Sequence, residues 1–296
     1  MTTPKRIFLT GASNGMGKLI ALTLAGQGHV VFAGMRELKG RNAPQAQELA
    51  AHRAAVPITP VDIDVTDDAS VARCAATVLE QAGGVDVLIN CAGIMWLGTT
   101  EAFSSEQFER TLQTNVVGPF RLFRAILPAM RAAEDGLLIT VTSLLGRIVL
   151  PNFGIYCASK FATEAMAEAI SYETAGFGID SVIVEPGSFD TGLLAAQNDP
   201  ANAQVVAAYG SMSQFHNILS AGLLEAKAQN PAAYDPQIVA NLVSDLIAMP
   251  KGTRPLRCPV GQVGVVPELN RRAGELQAQF ISQLGLTPSR MPDSVD

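Results

Sequence analysis

Tyr156-Cys157-Ala158-Ser159-Lys160 is the stretch of this sequence best suited to chemistry. On a helix, Tyr156 and Lys160 stand one turn apart on a single face. A phenol ionises near pH ~10 and is a poor acid or base at neutral pH. A neighbouring ammonium favours the phenolate, and a second cation bound close by would add to it. Lowering the pKa by about 2–3 units takes roughly 3–4 kcal/mol, within reach of two cations in a partly dry site. Taken alone, the pair reads more readily as a solvated Tyr–Lys pair, which is common on helix surfaces. Ser143 shifts that balance. It ends an apolar run thirteen residues before Tyr156, and open α/β sheets bind ligands beyond the carboxyl ends of their strands. A serine hydroxyl placed there can donate to a substrate oxygen beside the tyrosine. No GxSxG elbow surrounds Ser143, and His29, His52 and His216 offer no triad partner, which disfavours a nucleophilic role.

Asn115 lies in Asn115-Val116-Val117-Gly118-Pro119, inside a long helical pattern. Proline has no N–H, so Pro119 leaves the Asn115 carbonyl without its helical donor. That carbonyl can hold a water linking Lys160 to bulk solvent. The alternative is a kink made for packing alone.

The start of the chain carries a site for a dinucleotide. Thr10-Gly11-Ala12-Ser13-Asn14-Gly15-Met16-Gly17 joins a short apolar run to a helical one. Gly11 permits the tight turn, Gly15 lets the backbone approach a pyrophosphate, and Gly17 lets the helix pack close to the sheet. The N–H groups of the helix's first turn, after Ser13, Asn14 and Met16, face the phosphates. The loop lacks the GK[ST] of a P-loop, which disfavours phosphoryl transfer. The second apolar run, Val30–Ala33, is followed by Gly34-Met35-Arg36 with no acid at the strand end. A carboxylate there would bond a ribose 2′-hydroxyl. Gly34 instead leaves room for a 2′-phosphate onto which Arg36 can fork, so NADP(H) is the expected cofactor. A solvated Arg36 tempered by Glu37 is the alternative. Asp64 and Val65 end the third run, where the carboxylate can accept the adenine amino group or cap the next helix. Asn90, Ala92 and Gly93 end the fourth, where small residues let a cofactor lie across the sheet edge.

The elements that must position these groups alternate along the chain. Strands are expected at Ile7–Thr10, Val30–Ala33, Ile58–Val65, Val85–Asn90, Leu137–Ser143 and Ser181–Glu185. Helices are expected at Lys18–Ala25, Gln45–Ala55, Ala69–Gln81, Ser104–Met130 and Tyr156–Thr174, with Ser104 and Gln107 forming a capping box. The strands are nearly continuous apolar runs, as a parallel sheet covered on both faces requires. This rhythm predicts a single-domain, doubly wound α/β fold with helices on both faces. The segment 192–230 is rich in Ala, Gln and Ser and interrupts the rhythm, as a late substrate-binding loop or lid would.

Composition agrees. The 296 residues are 48% hydrophobic and 16% charged, enough for a sizeable core. The formal charge of −6 and the absence of Lys/Arg blocks argue against a nucleic-acid partner. Cys74, Cys91, Cys157 and Cys258 form no CxxC pair and read as reduced thiols of a cytoplasmic protein. No apolar run is long enough to span a membrane, the N-terminus does not read as a signal peptide, and no metal is called for.

In this order, TGASNGMG, DV at Asp64–Val65, NCAG at Asn90–Gly93, NVVG at Asn115–Gly118, TS at Thr142–Ser143, YCASK at Tyr156–Lys160 and PGSFDT at Pro186–Thr191 resemble the short-chain dehydrogenase/reductase family. The resemblance covers Lys5 to about Thr191, with a weaker match through Arg254–Gly261. It implies a Rossmann-like fold and a catalytic tetrad of Asn115, Ser143, Tyr156 and Lys160. It further implies that Lys160 binds the nicotinamide ribose, and that Thr191 and the backbone from Pro186 through Gly187 to Phe189 hold the carboxamide. Cys91 departs from the family's NNAG. The segment around Arg36 is similar to NADP-preferring members related to 17β-hydroxysteroid and retinol dehydrogenases. Family members often pair through two long helices, here around Ser104–Met130 and Tyr156–Thr174, so a homo-oligomer, dimer or tetramer, is expected.

The substrate must reach Tyr156 from the late-strand loops. Met95, Trp96, Leu144, Leu145, Phe153, Tyr209, Met212 and Phe215 are the candidates to line its pocket. Their apolar character favours a bulky hydrophobic alcohol, ketone or aldehyde. Arg147 is the nearest candidate for an anionic anchor. A nucleotide-sensing protein without catalysis is the competing reading, opposed by the intact Ser–Tyr–Lys set. An epimerase or dehydratase is opposed by the glycine spacing, and an NAD-dependent dehydrogenase of the same family differs only at Arg36.

Overall fold

The computed structural model describes residues 3–54, 56–189, 191, 193 and 199–285. The apolar runs and helical stretches alternate as β1 (Arg6–Thr10), α1 (Gly15–Gly26), β2 (Val30–Met35), α2 (Ala43–Ala51), β3 (Thr59–Asp62), α3 (Asp68–Ala82) and β4 (Val87–Asn90). Then follow α4 (Ser105–Leu112), α5 (Gly118–Ala133), β5 (Gly136–Val141), α6 (Gly154–Thr174) and β6 (Ile179–Pro186). The chain continues through α7 (Ala203–Ala208), α8 (Phe215–Gln229), α9 (Gln237–Ala248), β7 (Arg257–Val260) and α10 (Val266–Gln283). The seven strands form one parallel sheet in the order β3-β2-β1-β4-β5-β6-β7. The order reverses between β1 and β4, the switch point where doubly wound sheets open a crevice for ligands.

Alternate residues of each strand feed two cores. Ile7, Leu9, Val31, Ile89 and Ile139 pack with Ile20 and Leu24 of α1, Leu49 of α2 and Val243 of α9. Phe8, Leu88 and Leu138 face the other way, onto Val78 of α3, Phe123 and Ile126 of α5 and Ile170 of α6. Burial on both faces is why the strands read as unbroken apolar runs.

The expected bounds need correction in places. The long helix at Ser104–Met130 is two helices joined by a π-turn over Gln113–Val117. Pro119 has no N–H to give, and the Gly118 N–H donates instead to the Gln113 carbonyl five residues back. The capping box of Ser104 and Gln107 starts α4 as expected. The helix expected over Gln45–Ala55 ends at Ala51; Ala55 lies outside the described residues. The weakly matching segment Arg254–Gly261 contains β7, an edge strand that tolerates Pro259 because one side needs no ladder. Within 192–230, Gly192 and residues 194–198 lie outside the described residues, and the remainder is mostly the helices α7 and α8.

Candidate active site

A cleft of about 810 Å³ runs along the carboxyl ends of the strands. At one end it is lined by Gly11, Ser13, Asn14, Gly15, Met16 and Gly17. Gly11 has φ +78°, and a Cβ there would lie 2.8 Å from the Ala92 backbone, so only glycine makes this turn. A Cβ on Gly17 would lie 2.2 Å from the Gly11 carbonyl oxygen, so the third glycine lets α1 close onto its own loop rather than onto the sheet. Asn14 stands at the N-cap of α1 with no side-chain capping bond, which leaves the first-turn N–H groups pointing into the cleft.

Arg36, Asp64 and Val65 line the same end. Arg36 Nη1 lies 4.0 Å from Asp64 Oδ2. Asp64 Oδ1 accepts from the N–H and hydroxyl of Thr66 at 2.9 and 2.7 Å, while Asp67 caps α3. Burial pushes the Asp64 carboxyl up, but the Thr66 hydrogen bonds, Arg36 and Arg121 together hold it below the usual carboxylate range. Gly34 lines the same end of the cleft, as expected, but packing requires it as well. It belongs to β2, and a Cβ there would meet Ile63 Cγ2 and the Leu9 carbonyl oxygen, both at 2.9 Å. The sheet's own packing therefore requires that glycine. Arg41, Asn42 and Gln45 also line this end and were not anticipated from sequence.

The middle of the cleft is lined by Cys91, Ala92, Gly93, Val141, Thr142, Ser143, Tyr156, Lys160, Pro186, Gly187, Phe189 and Thr191. Tyr156 and Lys160 stand on α6 and are almost wholly buried; Ser143 follows β5. Burial pushes the Tyr156 phenol up to about 12, against the nearby Ser143 hydroxyl, which lowers it. Burial pushes the Lys160 ammonium down to about 8, against Cys91 and Glu164, which raise it. Lys160 Nζ donates to the Val141 carbonyl at 3.1 Å and lies 5.7 Å from the Tyr156 ring centroid. The helical spacing read from sequence thus brings phenol, ammonium and serine hydroxyl to one place.

Asn115 and Asn90 lie behind the wall rather than in it. The Asn115 side chain accepts from the Ile94 N–H at 2.9 Å and donates to the Ile94 carbonyl at 2.9 Å and the Ser159 hydroxyl at 3.0 Å. It ties the loop after β4 to α6. Its backbone carbonyl, freed by Pro119, accepts from the Thr163 hydroxyl at 2.8 Å, so a second lone pair is what remains for a water. Asn90 is buried at the end of β4 and its side chain is absent from the lining.

At the far end, Met95, Trp96, Leu144, Leu145 and Phe153 line the cleft as expected. The late segment contributes Leu193, Leu219, Ser220 and Leu223 instead of Tyr209, Met212 and Phe215. Tyr209 turns outward and donates to Glu101 at 2.7 Å. Leu219, Ser220 and Leu223 share one face of α8, and its weak amphipathic pattern leaves no signal in the sequence for which face turns inward. Arg147 is no substrate anchor: its Nε donates to Asn270 Oδ1 of α10 at 2.7 Å, away from the cleft.

No helix of the described residues is long and apolar enough to cross a membrane. None of their His, Cys, Asp and Glu side chains cluster as a metal site. The family model for short chain dehydrogenase matches residues 5–202. A 3-ketodihydrosphingosine reductase from Bacteroides thetaiotaomicron is 35% identical over 195 residues, 66% of this chain and 68% of that protein. Human 17-beta-hydroxysteroid dehydrogenase type 1 is 31% identical over 252 residues, 83% of this chain and 75% of that protein. A short-chain dehydrogenase from Streptomyces avermitilis superposes with a TM-score of 0.74 at 28% identity, covering 95% of this chain and 98% of that one. Both NADP and NAD complexes occur among the similar solved structures. Glycine loop, parallel sheet and the Ser143–Tyr156–Lys160 grouping therefore come with a match over two thirds of the sequence, and the chain belongs to the short-chain dehydrogenase/reductase family of nicotinamide-dinucleotide oxidoreductases.

Proposed function

We propose that the protein is an NADP(H)-dependent oxidoreductase that interconverts a bulky hydrophobic alcohol with its ketone or aldehyde. The observation that carries this reading is the meeting of Ser143, Tyr156 and Lys160 in a cleft that continues to the glycine loop and Arg36. The residues fit a dinucleotide. Gly11 and Gly15 have positive φ, a Cβ on Gly15 would face Thr191 at 3.3 Å, and the open end of α1 offers N–H groups to a diphosphate. The Pro186–Phe189 backbone and Thr191 line the same cleft as Lys160, where they would hold the carboxamide. The bound dinucleotide supplies or takes the hydride.

The chain's own residues handle the proton and the orientation. Tyr156, a phenol at neutral pH, gives its proton to the carbonyl oxygen in reduction and takes it back in oxidation. Ser143 donates to the same oxygen. Lys160 places a cation beside the phenolate, and Asn115 holds the Ile94 loop against α6. Leu144, Leu145, Phe153, Leu219 and Leu223 form an apolar chamber beyond Tyr156, which selects a hydrophobic substrate. Arg36, a cation in place of an acid after β2, favours the 2′-phosphate of NADP(H). The protein is proposed to be cytoplasmic and to act as a homo-oligomer.

Cofactor titration tests the reading. Trp96 is the chain's one tryptophan and lines the cleft, so energy transfer to the dihydronicotinamide reports binding. NADPH is expected to bind more tightly than NADH. Arg36→Ala should weaken NADPH by about tenfold to a hundredfold, the worth of a charge-assisted hydrogen bond, and leave NADH unchanged. Equal binding of the two would remove the NADP assignment, and no binding of either would remove the enzyme reading.

A further inference from the structure

Tyr156, Lys160, Glu164 and Glu168 occupy successive turns along one line of α6. The first two line the cleft; the next two run into the protein behind it. Glu164 is 2% exposed. Its Oε1 accepts from the Thr142 hydroxyl at 2.5 Å and its Oε2 from Arg257 Nε of β7 at 3.0 Å. Arg257 also donates to Glu168 Oε2 at 2.6 Å and lies 3.6 Å from Glu185 Oε1. Thr142 is the residue between Val141 and Ser143. The Val141 carbonyl receives the Lys160 ammonium, and the Ser143 hydroxyl stands close enough to Tyr156 to favour its phenolate. The turn after Ser143 is held too: a Cβ on Gly146 would lie 2.9 Å from Glu164 Cγ and 3.3 Å from the Lys160 carbonyl oxygen.

We propose that Glu164 is a positioning residue for the proton-handling set, pinned by Arg257 and holding through the Thr142 hydroxyl the strand end that orients Lys160 and Ser143. The inference rests on the reading of Ser143, Tyr156 and Lys160 given above. The same carboxylate stands one turn from Lys160 and supports its ammonium form in a site whose burial opposes it. The groups that bear on Glu164 are Lys160 and Glu168 on α6, Thr142 beyond β5, Arg147 in the turn after it, Glu185 on β6 and Arg257 on β7. Three carboxylates surround two guanidiniums there, so Glu164 cannot be exchanged for a neutral group without redistributing the cluster's charge. Helix packing alone would require a residue of this size at 164 but not an ionised one.

The test titrates Lys160 by side-chain 15N NMR, assigned with Lys160→Arg, in wild type, Glu164→Gln, Thr142→Val and Thr142→Ser. NADPH-dependent reduction of 9,10-phenanthrenequinone is measured in parallel. Glu164→Gln is expected to lower the Lys160 midpoint by about one unit. It should also cut kcat by about tenfold with KM within about twofold, as loss of orientation rather than of binding does. Thr142→Val should lower kcat similarly and Thr142→Ser restore it. Folded Glu164→Gln and Thr142→Val proteins with an unmoved Lys160 midpoint and unchanged kcat would overturn the proposal. If the wild type does not reduce the quinone, the Lys160 titration alone decides: a lowered midpoint in Glu164→Gln upholds the link and an unmoved one overturns it. Failure of the oxidoreductase reading shows separately, as absent NADPH binding.

Discussion

Tyr156 carries the heaviest demand at the scale of single residues. Its phenol is pushed up to about 12 by burial in the protein alone, so it holds a proton at neutral pH and is ready to act as an acid. Tyr156→Phe removes that proton donor and should lower turnover by about 10²–10⁴-fold, with NADPH binding by Trp96 energy transfer changed little. On the proposed mechanism Lys160 sets the pH window. Its pKa is depressed to about 8, so the ammonium is present below that value and is lost as pH rises through it. Carbonyl reduction should therefore decline above about pH 8, as Lys160 loses the charge that supports the departing proton. A kcat–pH profile for reduction that stays flat through pH 10 would separate Lys160 from the chemistry. On the proposed NADP(H) reading Arg36 would meet the 2′-phosphate at the other end of the cleft, where Asp64 lies 4.0 Å from its guanidinium as a competitor.

Elements explain which of these residues were legible beforehand. The glycine loop and the Tyr156–Lys160 spacing are local patterns and were legible as such, although the Ala92 backbone that demands Gly11 and the Val141 carbonyl that receives Lys160 come from distant parts of the chain. The π-turn at Gln113–Val117 was half legible. Pro119 announces a broken ladder, but the donor that finds the Asn115 carbonyl is Thr163, 48 residues away, which no spacing reveals. The last third of the chain was least legible. β7 carries Arg257 and Pro259, an unlikely pair for a strand until Arg257 is seen to meet Glu164, Glu168 and Glu185. α10 closes over this cluster, with Asn270 donating to Glu185 Oε2 at 2.6 Å and Gln277 to Glu168 Oε1 at 2.6 Å. The cluster has a measurable consequence. Burial first, and the charge of Glu164 second, push Glu185 up to about 7. A folded-state pKa above the unfolded value contributes stability below the unfolded pKa, and that contribution is lost as pH rises through about 7. Glu185→Gln should thus stabilise the protein by about 3 kcal/mol above pH 8, and lose that advantage at acid pH. Chemical denaturation at pH 5 and pH 8.5 reads the difference; a variant less stable at pH 8.5 would mean that the Arg257 ion pair outweighs the burial of the charge.

At the scale of the whole molecule, the same helices that carry the site present apolar surface to the outside. Phe108 on α4, Phe120 on α5 and Phe161 on α6 are 37%, 45% and 40% exposed. Phe161 follows Lys160 directly, and Phe120 lies two residues beyond the Gly118 that closes the π-turn. The helices α4 and α5 both pack against α6. Burying each ring against a second copy would gain about 1.5–3 kcal/mol, and a two-fold interface repeats every gain. Sedimentation should accordingly give a mass of at least twice the chain's 31.1 kDa. Phe120→Glu together with Phe161→Glu should return it to one chain, because four buried charges in a symmetric dimer cost far more than the rings contribute. The site gives this prediction its second readout. Asn115 reaches Ser159 and Ile94 from the joint between α4 and α5, so an interface that clamps these helices also clamps the wall behind Tyr156. The dissociated variant should lose turnover while keeping NADPH binding, since Arg36 and the glycine loop lie at the other end of the cleft. A wild type that sediments as a single 31.1 kDa species would instead leave the three rings as ordinary solvent-exposed surface and α6 rigid by its own packing alone.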